Sequence, residues 1–263
     1  MAVAIGIDVG GSAIKAAGVD TATGSLVSTR LEVDTPEPST PDAVIDAIAE
    51  LVAEVESELA DGGRHPIGVT LPSVVVDGIV KTAANIDPGW IDYPGGDALS
   101  RRLSRPVALL NDADAAGIAE MQFGAGRDRT GTVIALTLGT GVGSAIFTDG
   151  RLLANTELGH MELRGDDAEH RSAAVVRVRE HLTWEAWAAN LDEHLLAIHR
   201  LFWPGLFILG GGISADAERF LPLLTVPCEV VPARLRNDAG ATGAAMVAIS
   251  LAGSPATAGR VGP

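Results

Sequence analysis

Two short segments carry the residue types that phosphate chemistry needs. The first is Asp8-Val9-Gly10-Gly11-Ser12-Ala13-Ile14-Lys15. Glycines at a turn between two strands let the backbone approach a phosphate closely and aim N–H groups at its oxygens. An aspartate closing the first strand can hold a hydrated Mg2+, which neutralises part of the phosphate charge. Asp8 is therefore the candidate metal residue, through water, and Gly10, Gly11 and Ser12 are the candidate phosphate cradle, with Lys15 a local cation. An ordinary glycine hairpin would look the same. The second segment, Leu138-Gly139-Thr140-Gly141-Val142-Gly143, alters that balance, because two glycine hairpins are what a bound phosphate chain requires. Gly139, Thr140 and Gly141 join the candidate cradle.

Neither segment fits a dinucleotide or P-loop fingerprint. Gly139-Thr140-Gly141 leads into the strand-like Ser144-Ala145-Ile146-Phe147 and not into a helix, and no Gly-x-x-x-x-Gly-Lys-Ser/Thr run occurs. Asn111-Asp112-Ala113-Asp114 follows the strand-like Val107–Leu110 and opens a helix, a place where α/β sheets bind ligands. Phosphoryl transfer to an alcohol needs a carboxylate that orients the hydroxyl and accepts its proton, and Asp112 is the candidate base. The plainer role for such a residue is helix N-cap, a role that suits Asp114 better. Glu157 and His160, three apart beside Gly159, can both point at one small polar ligand, and a carboxylate with an imidazole suits sugar hydroxyls. No Cys or second His lies at ligand spacing from His160, so no zinc site is expected.

The elements that position these residues read as α/β. Strands are expected over Ala2–Asp8, Ala13–Val19, Ser25–Val33, Ile67–Leu71, Val107–Leu110, Thr132–Leu138, Ser144–Thr148, Leu206–Leu209 and Pro227–Val231. Val44, Ile48, Leu51 and Val55 share one face of a helix from about Asp42 to Leu59, with Thr40 as its cap and Asp61-Gly62-Gly63 as its stop. Asn85 to Gly96 reads as a loop, Asp112–Gln122 as a helix, and Asp166–Ala189 as a charged helical stretch broken near Thr183. Ser214 reads as the cap of a short helix, and Trp203–Phe207 as core. Each glycine segment is strand, turn, then Gly-Ser-Ala-Ile entering a strand, so the chain contains an internal duplication. Two related α/β domains around a cleft follow: 1–111, and 112–238, with a C-terminal helix near 239–252 packing back on the first and a flexible tail over 253–263.

Composition narrows the classes. The 263 residues are 47% hydrophobic with 31 Gly, which excludes disorder, and the formal net charge is −15. So acidic a chain is no general nucleic-acid binder. If the ligand is a polyanion, backbone N–H groups and local cations must hold it. Lys81, Arg127, Arg129 and the run Arg164, His170, Arg171, Arg177, Arg179 are available, although Asp166, Asp167 and Glu169 would balance a solvated helix face. One cysteine, Cys228, and the lack of a signal peptide or membrane-length apolar run point to the cytoplasm and away from a membrane.

Taken in order, Asp8-Val9-Gly10-Gly11-Ser12, Asn111-Asp112-Ala113-Asp114-Ala115-Ala116, Leu138–Gly143, Glu157-Leu158-Gly159-His160, Gly210-Gly211-Gly212-Ile213-Ser214 and Ala239–Ala245 resemble the ROK family of sugar kinases. That resemblance implies the actin-like ATPase fold, a duplicated ribonuclease H-like arrangement. Thr82–Asp87, Ala119–Gly126 and Leu182–Ala188 are similar to the polyphosphate-using glucokinases of that family. It implies transfer from inorganic polyphosphate or ATP to the 6-hydroxyl of glucose, with Asp112 as base and Mg2+ as cofactor. Asn85, Asn111, Glu157, His160 and Glu162 would hold the sugar, and Gly211 and Gly212 would meet a nucleotide or the continuing phosphate chain. A homodimer is also implied. The Cys-rich zinc loop of many ROK kinases is missing, as in the polyphosphate branch, and Ala13 and Ala17 stand where relatives often have Gly. A strictly ATP-dependent glucokinase or glucomannokinase is the near alternative. A polyphosphate hydrolase would have no sugar for Glu157 and His160 to hold, and a sugar-responsive repressor would need a DNA-binding segment ahead of Met1.

Overall fold

The computed structural model describes residues 2–59 and 62–253, and among them no helix is long and apolar enough to cross a membrane. The expected helix stop at Asp61 and the tail beyond residue 253 lie outside the described residues. The chain divides into two compact units, Met1–Leu110 with Ala241–Pro263, and Asn111–Gly240.

The first unit opens with β1 (Val3–Val9) and β2 (Ala13–Asp20), an antiparallel hairpin across the first glycine turn. The extended stretch expected over Ser25–Val33 is two strands, β3 (Ser25–Leu26) and β4 (Leu31–Asp34), both paired with β2. Helix α1 (Pro41–Glu58) follows; Pro41 suits its first turn, and Thr40 occupies the cap position without a side-chain cap bond. Then come β5 (Ile67–Leu71), a small β6–β7 hairpin (Val75–Val76, Ile79–Val80), α2 (Gly95–Leu103) and β8 (Val107–Asn111). Helix α2 corrects the loop expected up to Gly96: Pro94 and two glycines disguise a helix whose Leu99 is fully buried.

Alternation along the strands assigns the two faces of this sheet. Ile5, Ile7 and Val9, with Ile67, Val69 and Leu71, face Val44, Ile48, Leu51 and Val55 of α1. Each such aliphatic side chain contributes about 1.5–3 kcal/mol on full burial. The strand order is β3-β2-β1-β5-β8, with β5 parallel to β1.

The second unit begins with α3 (Asp112–Phe123), followed by β9 (Thr132–Leu138), β10 (Val142–Thr148) and β11 (Arg151–Thr156). A short hairpin, β12 (Glu162–Leu163) and β13 (Asp166–Asp167), leads to α4 (Glu169–Ser172), α5 (Ala174–Arg179) and α6 (Trp184–Phe202). β14 (Leu206–Gly210), α7 (Ala217–Phe220) and β15 (Glu229–Pro232) complete it. The order β11-β10-β9-β14-β15 repeats that of the first sheet, again with an antiparallel hairpin beside a parallel strand. Ile134, Leu136, Phe207 and Leu209 face α6, while Val133, Ala135, Phe147 and Ile208 form the opposite core with Ile118 and Met121 of α3.

The charged stretch over Asp166–Ala189 is thus one strand of a hairpin, two short helices and the start of α6. Its charges pair across elements and do not line one helix face: Arg164 and Arg171 both reach Glu193 of α6, and His170 bonds Asp166. Leu206 and Phe207 are core as expected, but Trp203 caps α6 in the left-handed conformation and is 75% exposed.

Helix α8 (Ala239–Gly253) returns to the first sheet, on the face opposite α1. Ala4 and Val19 pack against its Ala245 and Ala248. A Cβ on Gly6 or Gly68 would overlap the carbonyl oxygens of Ala241 and Ala244, so helix and sheet meet backbone to backbone.

Candidate active site

In the first unit, the turn between β1 and β2 is closed by Gly10 N–H donating to the Ala13 carbonyl at 2.9 Å. Thr35, just past β4, ties it from the side: its hydroxyl donates to Gly10 O at 2.7 Å and its N–H to Ser12 O at 3.0 Å. These bonds occupy turn carbonyls and leave Gly11 and Ser12 exposed. Asp8 is fixed from β5, where the fully buried Thr70 hydroxyl donates to its Oδ1 at 2.8 Å. The ladder places Lys15 directly opposite Asp8, so cation and carboxylate share one face of the hairpin. Asn85 belongs here too, since a Cβ on Gly11 would stand 3.2 Å from its carbonyl oxygen. Beside the turn lies an open depression of about 630 Å3 lined by Gly11, Ser12, Thr35 and Asp87 among others.

In the second unit, Asn111 and not Asp114 caps α3: the Asn111 side-chain oxygen accepts from Asp114 N–H at 3.0 Å. An amide at the end of a strand can cap as well as an acid, and the acid three residues on is needed elsewhere. Asp112, half-buried, opens the first turn of the helix. The helix sits tightly on the second hairpin, since a Cβ on Gly143 would stand 2.8 Å from the Ala113 Cβ.

Glu157 and His160 are set by the end of β11 and the 3-10 turn Leu158–His160. Ser144 of β10 anchors that path, its hydroxyl donating to Thr156 O at 2.6 Å and accepting from Leu158 N–H at 3.0 Å. His160 Nε2 lies 3.8 Å from Glu157, and Nδ1 lies 2.9 Å from Asp167 of β13. The Asp167 hydrogen bond, with Glu169 and Glu157 adding negative charge nearby, raises the His160 pKa against the opposing effect of burial. Burial raises the Glu157 pKa, with Glu169 adding to the rise and His160 opposing it. Glu162 is exposed on β12, directly across the ladder from Asp167, whose carboxylate holds His160.

Glu169 links the glycine turn to the Glu157–His160 segment. Its Oε2 accepts from Val142 N–H at 2.8 Å, and side chains added at Gly141 or Gly159 would run into that carboxylate. The turn Gly139–Gly141 is closed by Gly139 N–H donating to Gly141 O at 3.0 Å, and Val175 N–H of α5 holds Gly139 O at 3.1 Å. Gly139 and Thr140 are exposed. From below, fully buried His194 of α6 places Nε2 3.0 Å from Leu158 O and Nδ1 2.9 Å from Ser172 Oγ, and burial lowers its pKa. The sequence marks Asp167 and Glu169 only as acids balancing the nearby cations, and His194 not at all. Nothing in their spacing marks them, because strand pairing and helix packing bring them in.

Gly211, with φ +85°, takes a conformation that favours glycine and lies against the Leu138 backbone with no room for a Cβ. That approach carries exposed Gly212, the first residue of a 3-10 helix over Gly212–Asp216, to the strand end that starts the second glycine turn. Ser214 lies inside this helix, not at its cap, and its hydroxyl donates to Gly211 O at 2.8 Å. Among the cations, Arg129 is held by Glu229 and Lys81 by Asp92, whereas Arg177 stacks 4.0 Å over the Trp184 ring.

Each unit therefore offers one glycine turn backed by a carboxylate, and the second adds a helix-opening aspartate and a carboxylate–imidazole pair. Comparison with known proteins gives that arrangement a family. The chain is 47% identical over 246 residues to the polyphosphate glucokinase of Mycobacterium tuberculosis strain H37Rv, covering 93% of this chain and 91% of that protein. Its structure matches that of the inorganic polyphosphate/ATP-glucomannokinase from Arthrobacter sp. strain KM with a TM-score of 0.91 at 45% identity, covering 95% of this chain and 100% of that one. A ROK family glucokinase from Streptomyces griseus, solved with glucose and AMPPNP, matches with a TM-score of 0.80 at 26% identity over 94% of this chain and 99% of its own. The ROK family model itself matches residues 4–175. The protein belongs to the ROK family and has the actin-like ATPase fold of its sugar kinases.

Proposed function

We propose that the protein transfers the terminal phosphoryl group of inorganic polyphosphate, and also that of ATP, to the 6-hydroxyl of glucose. The carrying observation is the 47% identity, over 93% of the chain, to a polyphosphate glucokinase. The 0.91 TM-score match to a polyphosphate/ATP-glucomannokinase supports the same donor pair.

In this reading the glucose O6 attacks the terminal phosphorus in line, the bond to the bridging oxygen breaks, and the donor leaves one phosphate shorter. The O6 proton passes to the Asp112 carboxylate as the new bond forms. Asn85, Asn111, Glu157 and His160 hold the sugar, with Glu162 at the margin. Gly11, Ser12, Thr140 and Gly141 turn their backbone toward phosphate oxygens, Gly10 and Gly139 belong to the same cradle by closing the two turns through their N–H groups, Lys15 adds a charge, and Gly211 and Gly212 meet the rest of the donor. Phosphoryl transfer by such kinases depends on a divalent metal, and the oxygen chemistry at Asp8 fits Mg2+. Thr70 occupies one Asp8 oxygen, and among the described residues no group of three or more acidic, His or Cys side chains gathers into a cage. Asp8 would thus hold the ion through water, where it would neutralise charge on the donor phosphates. Leu201 and Trp203, 67% and 75% exposed at the end of α6, offer an apolar face for the homodimer we infer, and the place of action is the cytoplasm.

The test is glucose 6-phosphate formation by purified protein with Mg2+, comparing nucleotide-free polyphosphate with ATP. Turnover on both supports the reading. Turnover on ATP alone leaves a ROK glucokinase and removes the polyphosphate donor.

A further inference from the structure

Asp114 is an acid in an unusual place. It is 2% exposed, within the first turn of α3, two residues from Asp112. Its Oδ2 accepts the backbone N–H of Asn155 at 2.8 Å, while its Oδ1 is buried with no hydrogen-bond partner among the described residues. A buried carboxylate with an unsatisfied oxygen is costly, and such a group calls for a reason.

The reason lies in its partner. Strand β11 pairs Leu153 with Ile146 and Thr156 with Ser144, so Ala154 and Asn155 together oppose Ala145 alone. This is a bulge, and bulges re-aim the chain that follows. Asn155 has φ +58°, a strained conformation for a residue with a side chain. The N–H at that strained residue is the one Asp114 holds. Immediately after it come Thr156, returned to the ladder by Ser144, then Glu157 and the turn bearing His160. We propose that Asp114 is a positioning residue for sugar recognition: its carboxylate pins the bulge at Asn155 and sets where Glu157 and His160 stand relative to Asp112. This inference rests on the glucose-phosphorylating reading and adds to it a residue that touches neither sugar nor phosphate.

Charge makes the brace responsive to pH. Burial pushes the Asp114 pKa up to about 6, Glu157 adds to the rise, and the Asn155 N–H opposes it. The surrounding elements offer few other charges. β9 and β10 carry no titratable side chain, β11 contributes only Arg151, and α3 itself carries Asp112 and Glu120 besides Asp114. As pH rises through about 6, Asp114 ionises and its bond to Asn155 becomes charge-assisted. Glucose KM is expected to fall across that window.

The experiment is a steady-state comparison of wild type, Asp114→Ala and Asp114→Asn from pH 5 to 8, with KM measured separately for glucose and for polyphosphate. Asp114→Ala removes the acceptor and is expected to raise glucose KM about tenfold, leaving polyphosphate KM unchanged. Asp114→Asn keeps an acceptor without the charge; it should recover most of the glucose affinity and lose the step in glucose KM near pH 6. An unchanged glucose KM in Asp114→Ala, or equal rises in both KM values, overturns the proposal. Should Asp114→Ala not fold, the Asp114→Asn profile decides alone: a step like the wild type's overturns the brace. Wild-type turnover on glucose is the internal control, and its absence sinks the broader reading together with this one.

Discussion

At the scale of single residues, the proposed reaction draws its base and two of its sugar ligands from different elements of the second unit. Asp112 opens α3, while Glu157 and His160 arrive from β11, so each can be altered alone. Asp112→Asn should lower kcat by about 10²–10⁴-fold, the usual share of a general base, with glucose affinity nearly intact by calorimetry; lost affinity with turnover retained at saturating glucose would reverse the assignment. His160 makes a pH prediction. Its folded pKa is raised, so the His160–Asp167 pair stabilises the fold fully below the ordinary histidine value of about 6.5 and ceases to do so as pH rises through the folded pKa. The Tm difference between wild type and His160→Gln should therefore be largest near pH 5 and shrink toward alkaline pH. A difference that grows with pH would show the opposite linkage. Asp112, Glu157 and His160 stand out as candidates in the sequence because they sit beside a helix start and a Gly. Asp114 reads from sequence only as an acid near a helix start, which makes it a cap candidate. That Asn155 adopts a strained bulge and needs an acceptor is a property of strand register, which no local pattern carries.

At the scale of elements, the duplicated hairpins were the most legible feature, because a strand ending in glycines and resuming as Gly-Ser-Ala-Ile is a local signal. Elements whose signals conflict were not legible. Helix α2 starts at two glycines, and the 166–189 region divides its ion pairs between local partners, His170 with Asp166 and Arg179 with Glu180, and a distant one, Arg171 with Glu193 of α6. Helix α8 was legible as a helix, but its closeness to the sheet depends on Gly6 and Gly68, 62 positions apart in the chain and paired in register. Gly68→Ala should cost about 3 kcal/mol through forced overlap with a helix backbone, a fall of roughly 6–12 °C in Tm. Because that face is covered by α8 and carries none of the proposed sugar residues, glucose KM should not change at temperatures where the variant is folded. A Tm within about 1 °C of wild type would mean that helix and sheet separate more easily than their contact implies.

At the scale of the whole molecule, a chain with net charge −15 is asked to take up a polyanion. Many of its cations are already committed: Arg164 and Arg171 share Glu193, Arg105 holds Glu56, Arg102 holds Asp46 and Arg129 holds Glu229. In the proposed reaction the long-range field then opposes the donor, while backbone N–H groups and a few local charges would bind it at close range. Salt screens the far field first, since the Debye length falls from roughly 30 Å at 0.01 M to about 10 Å at 0.1 M. For long-chain polyphosphate kcat/KM should therefore rise over that range at fixed free Mg2+, with glucose kcat/KM flat. Nucleic-acid binders show the reverse sign. A fall with salt would mean that local cations govern the encounter as well as the binding.

The return of α8 to the first sheet also bears on how the protein is made. The second unit, Asn111–Gly240, is one continuous stretch, whereas the first needs both ends of the chain. During vectorial synthesis the second unit can complete its core while the face of the first that carries Ala4, Gly6, Val19 and Gly68 is still uncovered. That face must stay free of partners until residues 241–253 emerge. Glycine and alanine suit the interval: they close tightly on α8 once it arrives and, before then, offer a nascent chain little apolar surface to misdirect.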